Sequence, residues 1–187
     1  MTHRVLVPIA DGTEEMEAVV IIDVLRRAGA EVTVASVGPL QVTASRGVKL
    51  VADIQIEACR DETFDLIVLP GGIPGAEHLR DSDALTDMLS RQKSAGRWYG
   101  AICAAPAVVL AHHDLLAPEK ATCHPAFAKQ LPDASQAHQR VLMSGRCVTS
   151  QGAGTALEFA LRLVELLFNR EVAKSVAAAM VAAPAEP

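Results

Sequence analysis

The chain has 187 residues, half of them apolar and only 3% aromatic, with a formal net charge of -5. That length can bury a substantial core without disulfide or metal staples. With no basic block, nothing in it favours nucleic acid or an anionic membrane, and no apolar run reaches the ~20 residues that span a bilayer. The first strand begins almost at the N-terminus, which leaves no room for a signal-peptide core, so a soluble cytoplasmic protein is expected.

Arg4–Ile9 is a short apolar run, and Asp11-Gly12-Thr13 turns it into a helix over residues 14–28, which Gly29 ends. Residues 31–37 are β-branched and strand-like, and Gly38-Pro39 breaks them. Extended pieces at 41–43 and 48–51 suggest a hairpin. Residues 65–69 form a fully apolar strand closed by Pro70-Gly71-Gly72. A helix over 83–95 leads to the strand 98–102, and a second helix is expected from Ala104 onward. A hairpin at 141–143 and 147–150 follows, then a long helix over 155–168, a terminal helix over 172–183 and a tail at 184–187. Strands alternating with helices, and apolar content dominated by Ala, Val, Leu and Ile, point to an α/β layered fold with a mostly parallel sheet. Without an internal repeat or linker, residues 1–187 read as a single domain.

In such folds ligands bind beyond the C-terminal ends of the strands. Cys103 stands where the strand 98–102 meets a helix, between the small residues Ala101 and Ala105, as a tight nucleophile elbow requires. A helix N-terminus lowers a thiol pKa, which favours the reactive thiolate. The plain alternative is a small buried core cysteine. Glu17 shares a helix face with Val20, Ile21 and Val24, so its carboxylate is expected on a core-facing stripe where burial raises its pKa; the alternative is a partly exposed first-turn Glu. Glu14 and Glu15, a turn earlier, can be solvated and also suit the positive end of the helix dipole. Gly71-Gly72 offers unobstructed backbone N–H groups that, with the N–H of Ala104, suit an oxyanion hole; the same pair could simply make a turn. His124, held out of helical geometry by Pro125, could orient or deprotonate the thiol, or be an ordinary loop histidine. His112, His113 and His138 read as solvated. Arg46 could reach an anion near the site, and Arg26 and Arg27 suit the negative end of the first helix dipole; the alternative for all three is a solvated side chain. Cys59, Cys103, Cys123 and Cys147 contain no C-x-x-C pair, so free thiols and no bound metal are expected.

Together these segments resemble the ThiJ/PfpI superfamily, and within it the YajL-like branch. The resemblance rests on Asp11-Gly-Thr-Glu-Glu-Met-Glu17, on 22–29, on Ser45-Arg-Gly-Val-Lys-Leu50, on Val68-Leu-Pro-Gly-Gly-Ile-Pro-Gly-Ala76, on Ala101-Ile-Cys-Ala-Ala-Pro106 and on Thr149-Ser-Gln-Gly-Ala-Gly-Thr155. It implies a flavodoxin-like three-layer α/β sandwich, usually a homodimer, with no cofactor. It also implies Cys103 as nucleophile, Glu17 as its hydrogen-bonding carboxylate, Gly72 and Ala104 amides as oxyanion donors and His124 nearby. Arg27 and Arg46 match positions of a small anion pocket at the dimer interface. The implied activities are glutathione-independent conversion of methylglyoxal or glyoxal to hydroxy acids, deglycation of early adducts, and an oxidation-sensitive chaperone role. Ala104 replaces the histidine of the peptidase branch, which disfavours proteolysis. Ala153 stands in place of a common proline, and Ala44 where relatives often carry a second cysteine, so redox chemistry is expected to rest on Cys103. Two functions follow: a glyoxalase or deglycase acting through a Cys103 hemithioacetal with Glu17 as proton shuttle, or an oxidative-stress sensor through Cys103 sulfinic acid.

Overall fold

The computed structural model describes residues 2–116 and 118–182. Its strands are β1 (Arg4–Ile9), β2 (Glu31–Ser36), β3 (Gln41–Thr43), β4 (Lys49–Val51), β5 (Ile54–Gln55), β6 (Leu66–Leu69), β7 (Trp98–Ile102), β8 (Val141–Ser144) and β9 (Cys147–Ser150). Its α-helices are α1 (Glu15–Arg27), α2 (Gly75–Arg80), α3 (Asp83–Ser94), α4 (Ala156–Leu167) and α5 (Arg170–Ala179). Seven strands form one sheet in the order β5-β2-β1-β6-β7-β9-β8, parallel except for the β8–β9 pair. β3 and β4 form the separate antiparallel hairpin that their short extended runs suggested.

Period-two alternation divides the apolar residues of each strand between two cores. Val5, Val7, Leu66 and Val68 pack with Ile21, Val24, Phe159 and Leu163 of α1 and α4 on one face. Leu6, Ile67 and Leu69 pack with Leu79, Leu85 and Leu89 of α2 and α3 on the other. Burial on both faces explains why these strands read as continuous apolar runs. The result is a three-layer α/β fold with a mostly parallel central sheet.

Local signals set the ends of α1. Glu14 caps it by accepting a hydrogen bond from the Glu17 N–H at 2.8 Å, and Gly29 leaves it with φ 90°. The edge strand β5 and the helix α2 have no counterpart in the sequence reading. β5 is two residues long, and α2 is entered through Pro74 with no side-chain cap, so neither carries a period or a start signal. The helix expected from Ala104 is instead a short π-type segment, Pro106–Ala111, with Ala105 already in helical geometry. The expected last residue of the terminal helix, 183, and the tail at 184–187 lie outside the described residues.

Candidate active site

Cys103 leaves β7 with φ 64°, one of three non-glycine residues with positive φ among those described. That left-handed conformation costs an L-residue about 1–2 kcal/mol, so its surroundings must hold it. Its N–H donates to the Ser150 carbonyl at 3.0 Å, which ties the elbow to β9. Its carbonyl accepts from the His124 N–H at 2.8 Å. Ala101, Ala104 and Ala105 are buried around it, and a Cβ on Gly71 would lie 2.6 Å from the Cys103 Cβ. Gly71 thus has no room for a side chain beside Cys103. Cys103 itself remains partly exposed, whereas Cys59, Cys123 and Cys147 are buried.

Glu17 is fully buried on α1. One carboxyl oxygen, Oε2, accepts the Gly71 N–H at 2.8 Å. The other, Oε1, is buried with no partner in good hydrogen-bond geometry. Burial pushes the Glu17 carboxyl up to about 7, against the opposing hydrogen bond from Gly71; the charge of Glu14 adds to the rise and the Cys103 thiol opposes it. Burial also pushes the Cys103 thiol up to about 12, and the Glu17 charge and hydrogen bond push the same way. The N–H groups of Gly72 and Ala104 face the sulfur and oppose that rise. The lowered thiol pKa expected from a helix N-terminus is therefore not found. Burial of the sulfur, and then the carboxylate beside it, outweigh the two amides. Interacting groups titrate as a unit. Between about 7 and about 12 the pair holds one proton and one negative charge between carboxyl and sulfur.

The other expected site residues divide into near and far. Gly72 and Ala104 present their amides to the sulfur. His124 meets Cys103 through its backbone, while its Nδ1 accepts the Ala126 N–H at 3.2 Å and its ring stacks edge-on with Phe127. Arg46 lies in the β3–β4 turn, with its guanidinium hydrogen-bonded to the Ser45 carbonyl. Arg27 pairs with Asp23 in the last turn of α1, about 18 Å along the helix from Glu15 at the 1.5 Å rise per residue of an α-helix. The structure does not bring either guanidinium to Cys103. Among the described residues no cluster of three or more His, Cys, Asp or Glu is placed to hold a metal ion, and no helix is long and apolar enough to cross a membrane.

Three polar residues differ from the sequence reading. Glu15 is buried, not solvated: it accepts the Ser45 hydroxyl and the Arg46 N–H, both at 2.8 Å. Burial raises its carboxyl, but these hydrogen bonds together outweigh burial and leave it below the usual value. Glu14 is used as the helix cap. His113 is half-buried, its Nε2 2.7 Å from the Arg80 carbonyl oxygen. The Glu15 role could not be read from α1 alone, because its partners belong to a hairpin about thirty residues away in sequence.

The model of the DJ-1/PfpI family matches residues 3–166. The chain belongs to the DJ-1/PfpI family. Among DJ-1 relatives, DJ-1 homolog B of Arabidopsis thaliana is 53% identical over 171 residues, covering 91% of this chain. The chain spans only 39% of that relative's length. A Caenorhabditis elegans protein named glutathione-independent glyoxalase DJR-1.2 is 36% identical, over 92% of this chain and 91% of the relative. The solved structure of oxidized Toxoplasma gondii DJ-1 superposes with a TM-score of 0.96 at 52% identity, covering 98% of this chain and all of that one.

Proposed function

We propose that the protein is a glutathione-independent glyoxalase whose nucleophile is Cys103. The observation that carries this reading is the Glu17 carboxyl, with one oxygen held by Gly71 and the carboxyl in hydrogen-bonding and electrostatic contact with the Cys103 thiol. Such a group can accept and return a proton without leaving its seat. The substrate is a small α-oxoaldehyde such as methylglyoxal. The sulfur adds to the aldehyde carbon, an S–C bond forms, and the carbonyl electron pair moves to oxygen, where the Gly72 and Ala104 amides stabilise it. Glu17 removes the proton from that carbon and returns one to the neighbouring ketone carbon, leaving a thioester. Water then cleaves the S–C bond and releases the hydroxy acid. One water is consumed and no external oxidant or reductant is needed. His124 stands beside the elbow and is proposed to order the entering carbonyl. Deglycation of early adducts is the same sulfur attack on the aldehyde in its masked form. The similarity to a relative named as a glyoxalase supports this choice.

Purified protein with methylglyoxal should form lactate, and Cys103→Ala should reduce the rate at least ~100-fold, as expected for loss of a covalent nucleophile. Equal rates for the two proteins would overturn the assignment. A second reading uses the same sulfur as an oxidant sensor without catalytic turnover: the partly exposed Cys103 and the likeness to an oxidized DJ-1 structure favour it. A chaperone role would follow from that oxidation.

The same reading includes a homodimer formed through α1 and the β3–β4 hairpin. Met16 and Val19 on α1, and Val48 and Val51 on the hairpin, are large apolar side chains left 48–68% exposed. The Ser45 and Arg46 contacts to Glu15 hold hairpin and helix as one surface. Arg46 lies near the start of α1 and Arg27 at its end. An anion pocket containing both therefore needs α1 of a second copy running antiparallel to the first.

A further inference from the structure

We infer that Cys123 is the resolving thiol of Cys103, so that limited oxidation closes an intramolecular Cys103–Cys123 disulfide. The inference rests on the reading of Cys103 as the reactive sulfur. Cys103 and Cys123 are twenty positions apart in sequence, but the His124 N–H donates to the Cys103 carbonyl at 2.8 Å. Standard backbone dimensions across such a bond put the Cys103 and Cys123 Cα atoms about 5–6 Å apart, within the span of a disulfide. Both cysteines pack on the same apolar cluster, and the Cys123 Sγ lies 3.4 Å from the carbonyl oxygen of His124, the residue that joins the two segments. The other two cysteines are elsewhere: Cys147 is opposite Tyr99 at the far end of β7, and Cys59 is in the short helical turn after β5. The redox chemistry assigned to Cys103 thus has a second cysteine on the segment hydrogen-bonded to it.

The oxidant is a hydroperoxide. The Cys103 sulfur attacks the outer peroxide oxygen, an S–O bond forms, the O–O bond breaks, and an alcohol or water leaves with a proton, giving Cys103 sulfenic acid. The Cys123 sulfur then attacks the Cys103 sulfur. The S–S bond forms, the S–O bond breaks, and the hydroxide leaves as water with the proton of the Cys123 thiol. Two thiols and one hydroperoxide give one disulfide, one alcohol and one water. Burial pushes the Cys123 thiol up to about 11, which keeps its thiolate scarce at neutral pH. Resolution is therefore slow, and a second hydroperoxide competes for the sulfenic acid to give sulfinic acid. The disulfide should dominate at one equivalent of peroxide and sulfinic acid at large excess, with the disulfide share rising as pH rises towards the Cys123 value.

The test is one equivalent of hydrogen peroxide on the intact protein, alkylation without reduction, and mass spectrometry before and after trypsin. Trypsin leaves Cys103 in the peptide 98–120 and Cys123 in 121–129, so a cross-link joins two separate peptides. The expected result is loss of two hydrogens from the intact mass and a linked 98–120/121–129 pair. Cys123→Ser should instead keep its oxygen on Cys103 under the same treatment, as sulfenic acid or, in at most half of the molecules, sulfinic acid, with no linked pair. The same oxygen adducts on Cys103 in both proteins, with no linked pair in the wild type, would overturn the inference. Lactate formation measured on Cys123→Ser separates it from the enzymatic reading, because that variant should keep wild-type turnover while losing the disulfide. If Cys103→Ala forms lactate as fast as wild type but the linked pair appears in the wild-type protein, the enzymatic reading fails and the disulfide stands.

Discussion

At the scale of single residues, Glu17 is a carboxyl group that the fold makes costly to ionise. Glu17 is raised from 4.5 to about 7, chiefly by burial. An acid whose folded-state pKa lies above its unfolded value makes the folded state bind more protons. Its contribution to stability is therefore greatest below about 4.5 and is lost as pH rises to about 7. Glu17→Gln removes that titration. Between pH 4.5 and 8 the wild-type protein should lose about 1–3 kcal/mol relative to the variant, from the 1.36 kcal/mol carried by each pKa unit. Denaturant unfolding of both proteins at the two pH values measures this difference, and parallel pH profiles would contradict the buried titration. Alkylation of Cys103 followed against pH should likewise lose its inflection near 7 in the variant.

At the scale of elements, three chain segments that end at the same rim of the sheet hold the elbow. The turn after β6 supplies Gly71 and Gly72, the turn after β1 supplies Gly12 and Thr13, and β9 supplies the Ser150 carbonyl. Gly72 has φ 89°, and a Cβ there would run into the Gly12 carbonyl oxygen and the Glu14 nitrogen. Gly29 has φ 90° but no atom within 4 Å of its Cβ position. Gly29→Ala should therefore cost about 1 kcal/mol, the left-handed strain alone. Gly72→Ala should cost about 2–4 kcal/mol, because backbone must also move. Thermal melts of the two variants read the contrast, and equal losses would show that the two turns are not tightly packed.

At the scale of the whole molecule, the exposed apolar face of α1 and the hairpin is the surface most in need of a cover. A dimer through that face predicts a sedimentation-equilibrium mass of twice 19.7 kDa for the chain. Met16→Glu with Val51→Glu should shift the mass towards the monomer. A wild-type chain that remains monomeric at micromolar concentration would remove the dimer, and with it any pocket shared by Arg27 and Arg46.

Much of this was legible in the chain before any fold was drawn. Continuous Val/Leu/Ile runs alternating with capped helices determined an α/β fold with a mostly parallel sheet, because two-sided burial leaves that composition behind. Cys103 between small residues and Glu17 on an apolar helical stripe were recognisable because each obeys a local period or a local steric limit. The tertiary structure alone decided the direction of the Cys103 pKa, since a sulfur's charge depends on the carboxyl that α1 brings beside it. It alone tied Glu15 to the hairpin and put Cys123 next to the elbow, through a backbone hydrogen bond between segments twenty residues apart. Periodicity reports which face of an element is buried; which groups then meet, and what their charges cost one another, is set by long-range packing.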